Sequence, residues 1–218
     1  IAKTNANVVR LVWDTNGTPA ALDTLIQLTL QNKMIPYGEL HGATGNISAV
    51  PAMVDYWVRP EVVSVIKKHE KWFLLNIANE AGGSGVSDAT FLSTNQTAIT
   101  RIRNAGINVP IIIDGTQWAM NHTQLWRTWQ TLQEHDPLHN LMFSIHSYYD
   151  GSDTSVKATY DAIAAKVVAD SIPIHIGEGP TAINASCAAA PYEYWMQKLQ
   201  ENDIGWITWS WGKANNQG

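Results

Sequence analysis

The sequence predicts an α/β protein, a (β/α)8 barrel of the TIM type that lacks its first βα unit, with seven strands countable. Three observations predict it. Short apolar runs begin at residues 7, 34, 72, 109, 141, 172 and 204, at spacings of 27 to 38 residues. Helix-like stretches lie between them, and strands alternating with helices at this period make parallel βα units. The runs also close, one after another, on a polar or aromatic residue that core packing does not require.

The runs are Asn7–Trp13, Met34–His41, Trp72–Asn79, Val109–Asp114, Leu141–His146, Ile172–Glu178 and Ile204–Trp209. Their near-continuous Val, Ile and Leu content is that of strands covered on both faces. Helices are expected at 20–32, 51–69, 88–105, 123–134, 154–170 and 191–202. Gly106, after Arg103-Asn104-Ala105, is a glycine stop signal. Asn32 and Asn202 are expected to serve the same purpose. Residues Ile1 to Asn5 read as the remnant of a helix leading into the first strand, which places the missing strand upstream. No linker or low-complexity tract interrupts the pattern, so residues 1–218 read as one domain. A barrel of seven strands leaves two sheet edges open. Something must cover them, and a second copy of the chain is one of the covers expected.

Composition narrows the partners. The chain is 45% hydrophobic and 15% charged, with a net charge of −5 and no basic run, which fits a neutral polymer and disfavours nucleic acid. No apolar run of 18 residues marks a membrane span. Cys187 is the one cysteine, so no disulfide can form within the chain. Ten Trp stand beside seven Tyr and three Phe. Those near strand ends, Trp13, Trp118, Trp209 and Trp211, are candidate platforms for sugar rings.

The strand ends carry the chemistry. Arg10 lies in the first run and His41 ends the second. Asn79 and Glu80 close the third, Asp114 the fourth, His146 and Tyr148 the fifth, Glu178 the sixth and Trp209 the seventh. In a parallel barrel these ends converge on one mouth. Two facing carboxylates are the minimum equipment for hydrolysing a glycosidic bond, one donating a proton to the leaving oxygen and the other, ionised, attacking the anomeric carbon. Strand order puts Glu178 beside His146 and Tyr148. A tyrosine hydroxyl bonded to a carboxylate favours its charged form, which makes Glu178 the better nucleophile. Asn79 is suited to bonding a sugar hydroxyl and Arg10 to orienting or stabilising the nucleophile. No zinc-like spacing of His, Cys or acidic residues is present, so no metal and no cofactor are expected.

The set Asn76-Ile77-Ala78-Asn79-Glu80, Ile145-His146-Ser147-Tyr148, Ile176-Gly177-Glu178 and Trp206-Ile207-Thr208-Trp209-Ser210-Trp211 resembles glycoside hydrolase family 5, a (β/α)8 family, from its second strand to its eighth. The resemblance implies hydrolysis of β-1,4 glycans with retention and without a metal. It makes Glu80 the acid/base and Glu178 the nucleophile. Arg10, His41, Asn79, His146 and Tyr148 match supporting residues, and Trp209 matches a tryptophan that stacks on the sugar. Leu40-His41-Gly42-Ala43-Thr44-Gly45 and Ala52-Met53-Val54-Asp55-Tyr56-Trp57 are similar to bacterial β-mannanases. Those enzymes usually follow the acid/base with Trp-Tyr-Gly, where this chain has Ala81-Gly82-Gly83. That departure makes glucan the lead substrate and an endoglucanase the lead activity, with an endo-β-1,4-mannanase as the alternative. An inactive, glycan-binding barrel is the alternative of a different class. The resemblance also implies a secreted, extracellular protein acting on plant cell-wall polysaccharide.

Overall fold

A computed structural model describes residues 4–179 and 190–210. Two of the sequence readings, Trp211 and Cys187, lie outside the described residues. Seven parallel strands follow one another in chain order, with helices between them. The chain divides into two compact units, Ile1–Phe143 and Ser144–Gly218, with the division falling inside the fifth strand rather than in a linker.

In the first unit, β1 (Val8–Trp13), β2 (Ile35–Leu40), β3 (Leu74–Asn76) and β4 (Ile111–Asp114) pair as parallel neighbours. The register sets Arg10 against Tyr37 and Val12 against Glu39, and Glu39 against Asn76. Every run expected here is a strand, but β3 is much shorter than its apolar sequence. Beyond Asn76 the chain stays tied to its neighbours without regular pairing. Ile77 N–H donates to the Ile112 carbonyl at 3.1 Å and Asn79 N–H to the Leu40 carbonyl at 2.8 Å. Those two bonds carry the chain to Glu80 in a fixed path.

The helices of this unit are α1 (Pro19–Gln31), α2 (Val50–Trp57), α3 (Pro60–Lys68), α4 (Asp88–Asn104) and α5 (His122–His135). The helix expected over 51–69 is two helices. Pro60 cannot donate a backbone bond and holds Arg59 extended, at φ −58° and ψ 133°, so one helix ends and another starts with the proline in its first turn. The α4 stop is as expected, with Gly106 left-handed at φ 79°. The asparagine stop after α1 is shifted. Asn32 caps the helix through its amide, which donates to the Leu28 carbonyl, and the left-handed residue is Lys33 at φ 60°. Thr4 and Asn5 form a turn, not the helix remnant expected there. Leu22, Ile26, Trp57, Ile66, Phe73, Ile99 and Ile102 are fully buried between sheet and helices. Each such side chain contributes roughly 2–3 kcal/mol of burial.

In the second unit, β5 (Leu141–His146) is completed, followed by α6 (Asp153–Asp170), β6 (Ile174–Gly179), α7 (Tyr192–Glu201) and β7 (Gly205–Thr208). β6 and β7 are parallel, with an irregularity between Ile176 and Gly179. Tyr160 of α6 stacks on Trp195 of α7, ring centres 6.2 Å apart, which docks the two helices on each other. After α7 the left-handed residue is Asp203, one past the expected Asn202, whose amide instead donates to the Lys198 carbonyl.

Candidate active site

Each unit places a polar cluster at the C-terminal ends of its strands. In the first unit the cluster is built on Arg10, Glu39, Asn76 and Asp114. Arg10 sits mid-strand, its side chain 3% exposed, and donates to Asn79 Oδ1 at 2.5 Å. The same Nη2 lies 3.6 Å from Glu39 Oε1, and the guanidinium stands over the Tyr37 ring. Glu39 is fully buried, and its Oε1 also lies 3.0 Å from His41 Nδ1. One buried carboxylate therefore fixes two of the predicted residues, and Arg10 supplies the countercharge that its burial requires.

A second chain of bonds fixes Glu80. Asn76 donates to Tyr37 Oη at 3.1 Å and to Asp114 Oδ1 at 2.6 Å. The other oxygen of Asp114 accepts from Glu80 N–H at 2.8 Å. The Glu80 carbonyl accepts from Gly45 N–H at 2.8 Å. Glu80 holds φ at 47°, a left-handed conformation costing about 1–2 kcal/mol in a non-glycine residue, and its own backbone bonds impose it. Asn79, immediately before it, is locked by Arg10 on one side and by Thr44 Oγ1, 2.9 Å from its Nδ2, on the other. Tyr37, buried in this cluster, is held neutral by its surroundings. Burial drives its hydroxyl above the ordinary tyrosine range, and the nearby Asp114 adds to the effect.

In the second unit the cluster is Glu178 with His146, Ser147 and Tyr148. Glu178 is near the end of β6, its side chain 6% exposed. Tyr148 Oη donates to Glu178 Oε2 at 2.6 Å, and His146 Nδ1 lies 3.6 Å from the same oxygen. The Glu178 carbonyl accepts from Ser147 N–H at 2.9 Å and from Ser147 Oγ at 3.2 Å. Gly177 is required here. A Cβ on it would lie 2.2 Å from Ser144 Oγ and 3.0 Å from His146 Nε2, so any larger residue would push the fully buried His146 off its place.

The tryptophans divide. Trp209 follows β7, half-buried, its N–H donating to the Gly179 carbonyl at 3.2 Å. Trp118 follows β4 and is 41% exposed. Trp13, at the end of β1, donates its indole N–H to Tyr56 Oη at 2.6 Å and lies against Gly17.

Sequence reasoning missed Glu39 and Asn76, and assigned no task to Asp114 beyond closing a strand. The signal for Glu39 was present, since Tyr37, Glu39 and His41 alternate along one face of a strand, where a lone carboxylate needs a partner. Neither unit by itself gathers three His, Cys, Asp or Glu ligands for a metal ion among the described residues.

The family model described as cellulase, glycosyl hydrolase family 5, matches residues 1–215. Among curated relatives, a mannan endo-1,4-beta-mannosidase of Cellvibrio japonicus is 29% identical over 99% of this chain and 51% of its own length. One of Salipaludibacillus agaradhaerens is 31% identical over 99% of this chain and 70% of its own. The chain thus spans about half the length of the first of these relatives and more of the second. Among solved structures, a beta-mannanase from Thermomonospora fusca superposes with a TM-score of 0.86 at 27% identity, covering 97% of this chain and 72% of that one. The catalytic domain of a Thermobifida fusca endoglucanase superposes with a TM-score of 0.71 at 18% identity, a likeness of fold alone. The fold class is the α/β barrel type expected from the sequence.

Proposed function

Since the chain belongs to glycosyl hydrolase family 5, we propose that it is a retaining endo-β-1,4-mannanase with Glu178 as nucleophile and Glu80 as acid/base. The observation that carries the catalytic assignment is the treatment of Glu178, a nearly buried carboxylate aimed by Tyr148 and His146. A donated hydroxyl hydrogen bond favours the ionised form that a nucleophile needs. Mannan replaces glucan as the lead substrate because the relatives above carry mannanase names at 29% and 31% identity. The loop Ala81-Gly82-Gly83, which pointed toward glucan, is weaker evidence than that.

The reaction proceeds in two displacements. A Glu178 oxygen attacks the anomeric carbon while Glu80 gives its proton to the glycosidic oxygen, and the C–O bond to the leaving sugar breaks. Water then attacks the glycosyl-enzyme ester, Glu80 takes back a proton, and Glu178 leaves as the carboxylate. Asn79, His41 and Arg10 bind the sugar or hold the groups that do, and Trp209 and Trp118 offer aromatic faces to sugar rings. The polymer is too large to enter a cell, so the site of action is extracellular.

Following the reaction by proton NMR tests the mechanism. The first-formed reducing end is expected to be the β anomer, with the α form growing only by mutarotation. Initial release of the α anomer would contradict the assignment of Glu178 as a nucleophile.

A further inference from the structure

Glu80 holds a left-handed φ of 47°, and a residue that is not glycine stays there only when it is restrained on both sides. On its amino side the restraint is Asp114, which accepts the Glu80 N–H at 2.8 Å. On its carboxyl side it is the turn in which Gly82 N–H returns to the Glu80 carbonyl at 2.6 Å. That turn opens the segment Ala81-Gly82-Gly83-Ser84-Gly85-Val86-Ser87, which has little to hold itself with. Three of its residues are glycine, free to take many conformations, and a Cβ on Gly85 would touch nothing within 4 Å. Ser84 and Gly85 are exposed. A segment of this composition keeps one shape only if its neighbours impose it.

The neighbours are the segment after β4 and the start of α5. Trp118 N–H donates to the Gly82 carbonyl at 3.0 Å and Gln117 N–H to the Gly83 carbonyl at 3.4 Å. The Thr116 methyl rests against Gly82, where a Cβ would lie 2.9 Å from it. One side chain joins these pieces. Gln124, in the first turn of α5 and 1% exposed, donates from Nε2 to the Val86 carbonyl and to Asp88 Oδ1, both at 3.0 Å. Its Oε1 accepts from the Thr116 hydroxyl. Two acceptors on one side and a hydroxyl on the other leave the amide a single orientation. Gln124 thus grips the far end of the segment at Val86 directly, and its near end at Gly82 through Thr116. Glutamine is seldom buried so completely. The helix start does not need it, since Asn121 N–H, the group that a glutamine at this position ordinarily caps, goes to the Thr116 carbonyl at 3.0 Å.

We propose that Gln124 is a positioning residue for the acid/base, acting through the segment that follows Glu80. The proposal rests on the glycanase reading above. With Gln124 in place, Gly82 keeps its bond to the Glu80 carbonyl, and Glu80 keeps the strained backbone that sets the position of its carboxyl. Without it the segment is free, Glu80 relaxes to a right-handed conformation, and the proton donor is misplaced. The bonds that Tyr148 and Ser147 make to Glu178 do not pass through this segment, so the nucleophile keeps its setting.

The test reads kcat/KM, which covers the steps through departure of the leaving group, on two substrates that differ in their need for a proton. Mannopentaose loses a sugar and needs the acid. 2,4-Dinitrophenyl β-mannobioside loses a phenolate and does not. If galactomannan is not the polymer cut, cellopentaose and the corresponding cellobioside replace them. Gln124→Met keeps the length and loses every side-chain bond. Gln124→Glu keeps the acceptor for Thr116 but sets a carboxylate against the Val86 carbonyl and Asp88. Both are expected to lose about tenfold or more on the pentaose and less than about threefold on the aryl glycoside. Thr116→Val, which keeps the methyl against Gly82, is expected to show the same split at about threefold, and it decides the matter alone if the Gln124 variants do not fold. Arg127→Ala, which removes exposed bonds to Asp88, is expected to match wild type on both. Equal losses on both substrates, or no loss on either, would overturn the positioning role while leaving the glycanase standing. A wild type inert toward all of these substrates would overturn the glycanase reading and this inference with it.

Discussion

Glu178 owes its character to a few neighbours. Tyr148 Oη, at 2.6 Å, donates to the oxygen that His146 also faces. Removing that hydroxyl leaves the ionised carboxylate with one fewer donor. A hydrogen bond to a charged group is worth about 1.5–3 kcal/mol, so Tyr148→Phe should lower kcat/KM by roughly 10- to 100-fold. The nucleophile must be ionised, and losing the donor disfavours ionisation, so the acid limb of the kcat/KM profile should move to higher pH. Steady-state rates across pH check it. A profile unmoved by the substitution would mean that Tyr148 serves the sugar and not Glu178. These contacts were partly legible in the sequence, since strand order alone set Tyr148 beside Glu178. Glu39 and Asn76 were not, because a polar residue inside an apolar strand gives no sign of which buried partner it meets.

At the scale of the elements, α4 and α5 are joined within the first unit by a buried ion pair. Arg103, in the last turn of α4, binds Asp136 at the end of α5 through Nε and Nη2, both at 2.8 Å, and gives its Nη1 to the Ile107 and Val109 carbonyls. Asp136 is fully buried and accepts from Asn140 N–H as well. Burial alone would raise its carboxyl, but the Arg103 bonds and the backbone N–H groups outweigh it and hold the carboxyl below the usual range. A carboxyl depressed on folding gives stability that is present above its unfolded value near pH 4 and lost as pH falls through the lower folded value. Asp136→Asn should therefore cost about 3–5 kcal/mol near neutral pH, because Arg103 is left buried without its partner. The gap between variant and wild type should narrow below about pH 4. Denaturant melts at the two pH values check it, and a gap independent of pH would contradict it. The helices themselves were read well except where a single residue redirects the chain. Pro60 splits one expected helix into two, and Lys33 and Asp203 take the left-handed position expected of the asparagines before them. Those asparagines spend their amides on the helix end instead, a choice between two capping modes that sequence leaves open.

At the scale of the whole molecule, the repeat of strand and helix was legible throughout because its period and its closing residues agree. The substrate was not. The sequence shows a loop without aromatics after Glu80, which favours glucan, whereas the relatives favour mannan. Trp118 itself was legible as a candidate platform, but the left-handed turn of Gln117, Trp118 and Ala119 leaves no signature in a linear sequence, since none of the three is a residue that prefers that conformation. Reducing-sugar release from galactomannan and from carboxymethyl-cellulose, with wild type and Glu178→Ala side by side, decides both the substrate and the nucleophile. The wild type is expected to release sugar from galactomannan and far less from carboxymethyl-cellulose, and the variant none from either. Release that persists in Glu178→Ala, or a wild type that prefers carboxymethyl-cellulose, would contradict it.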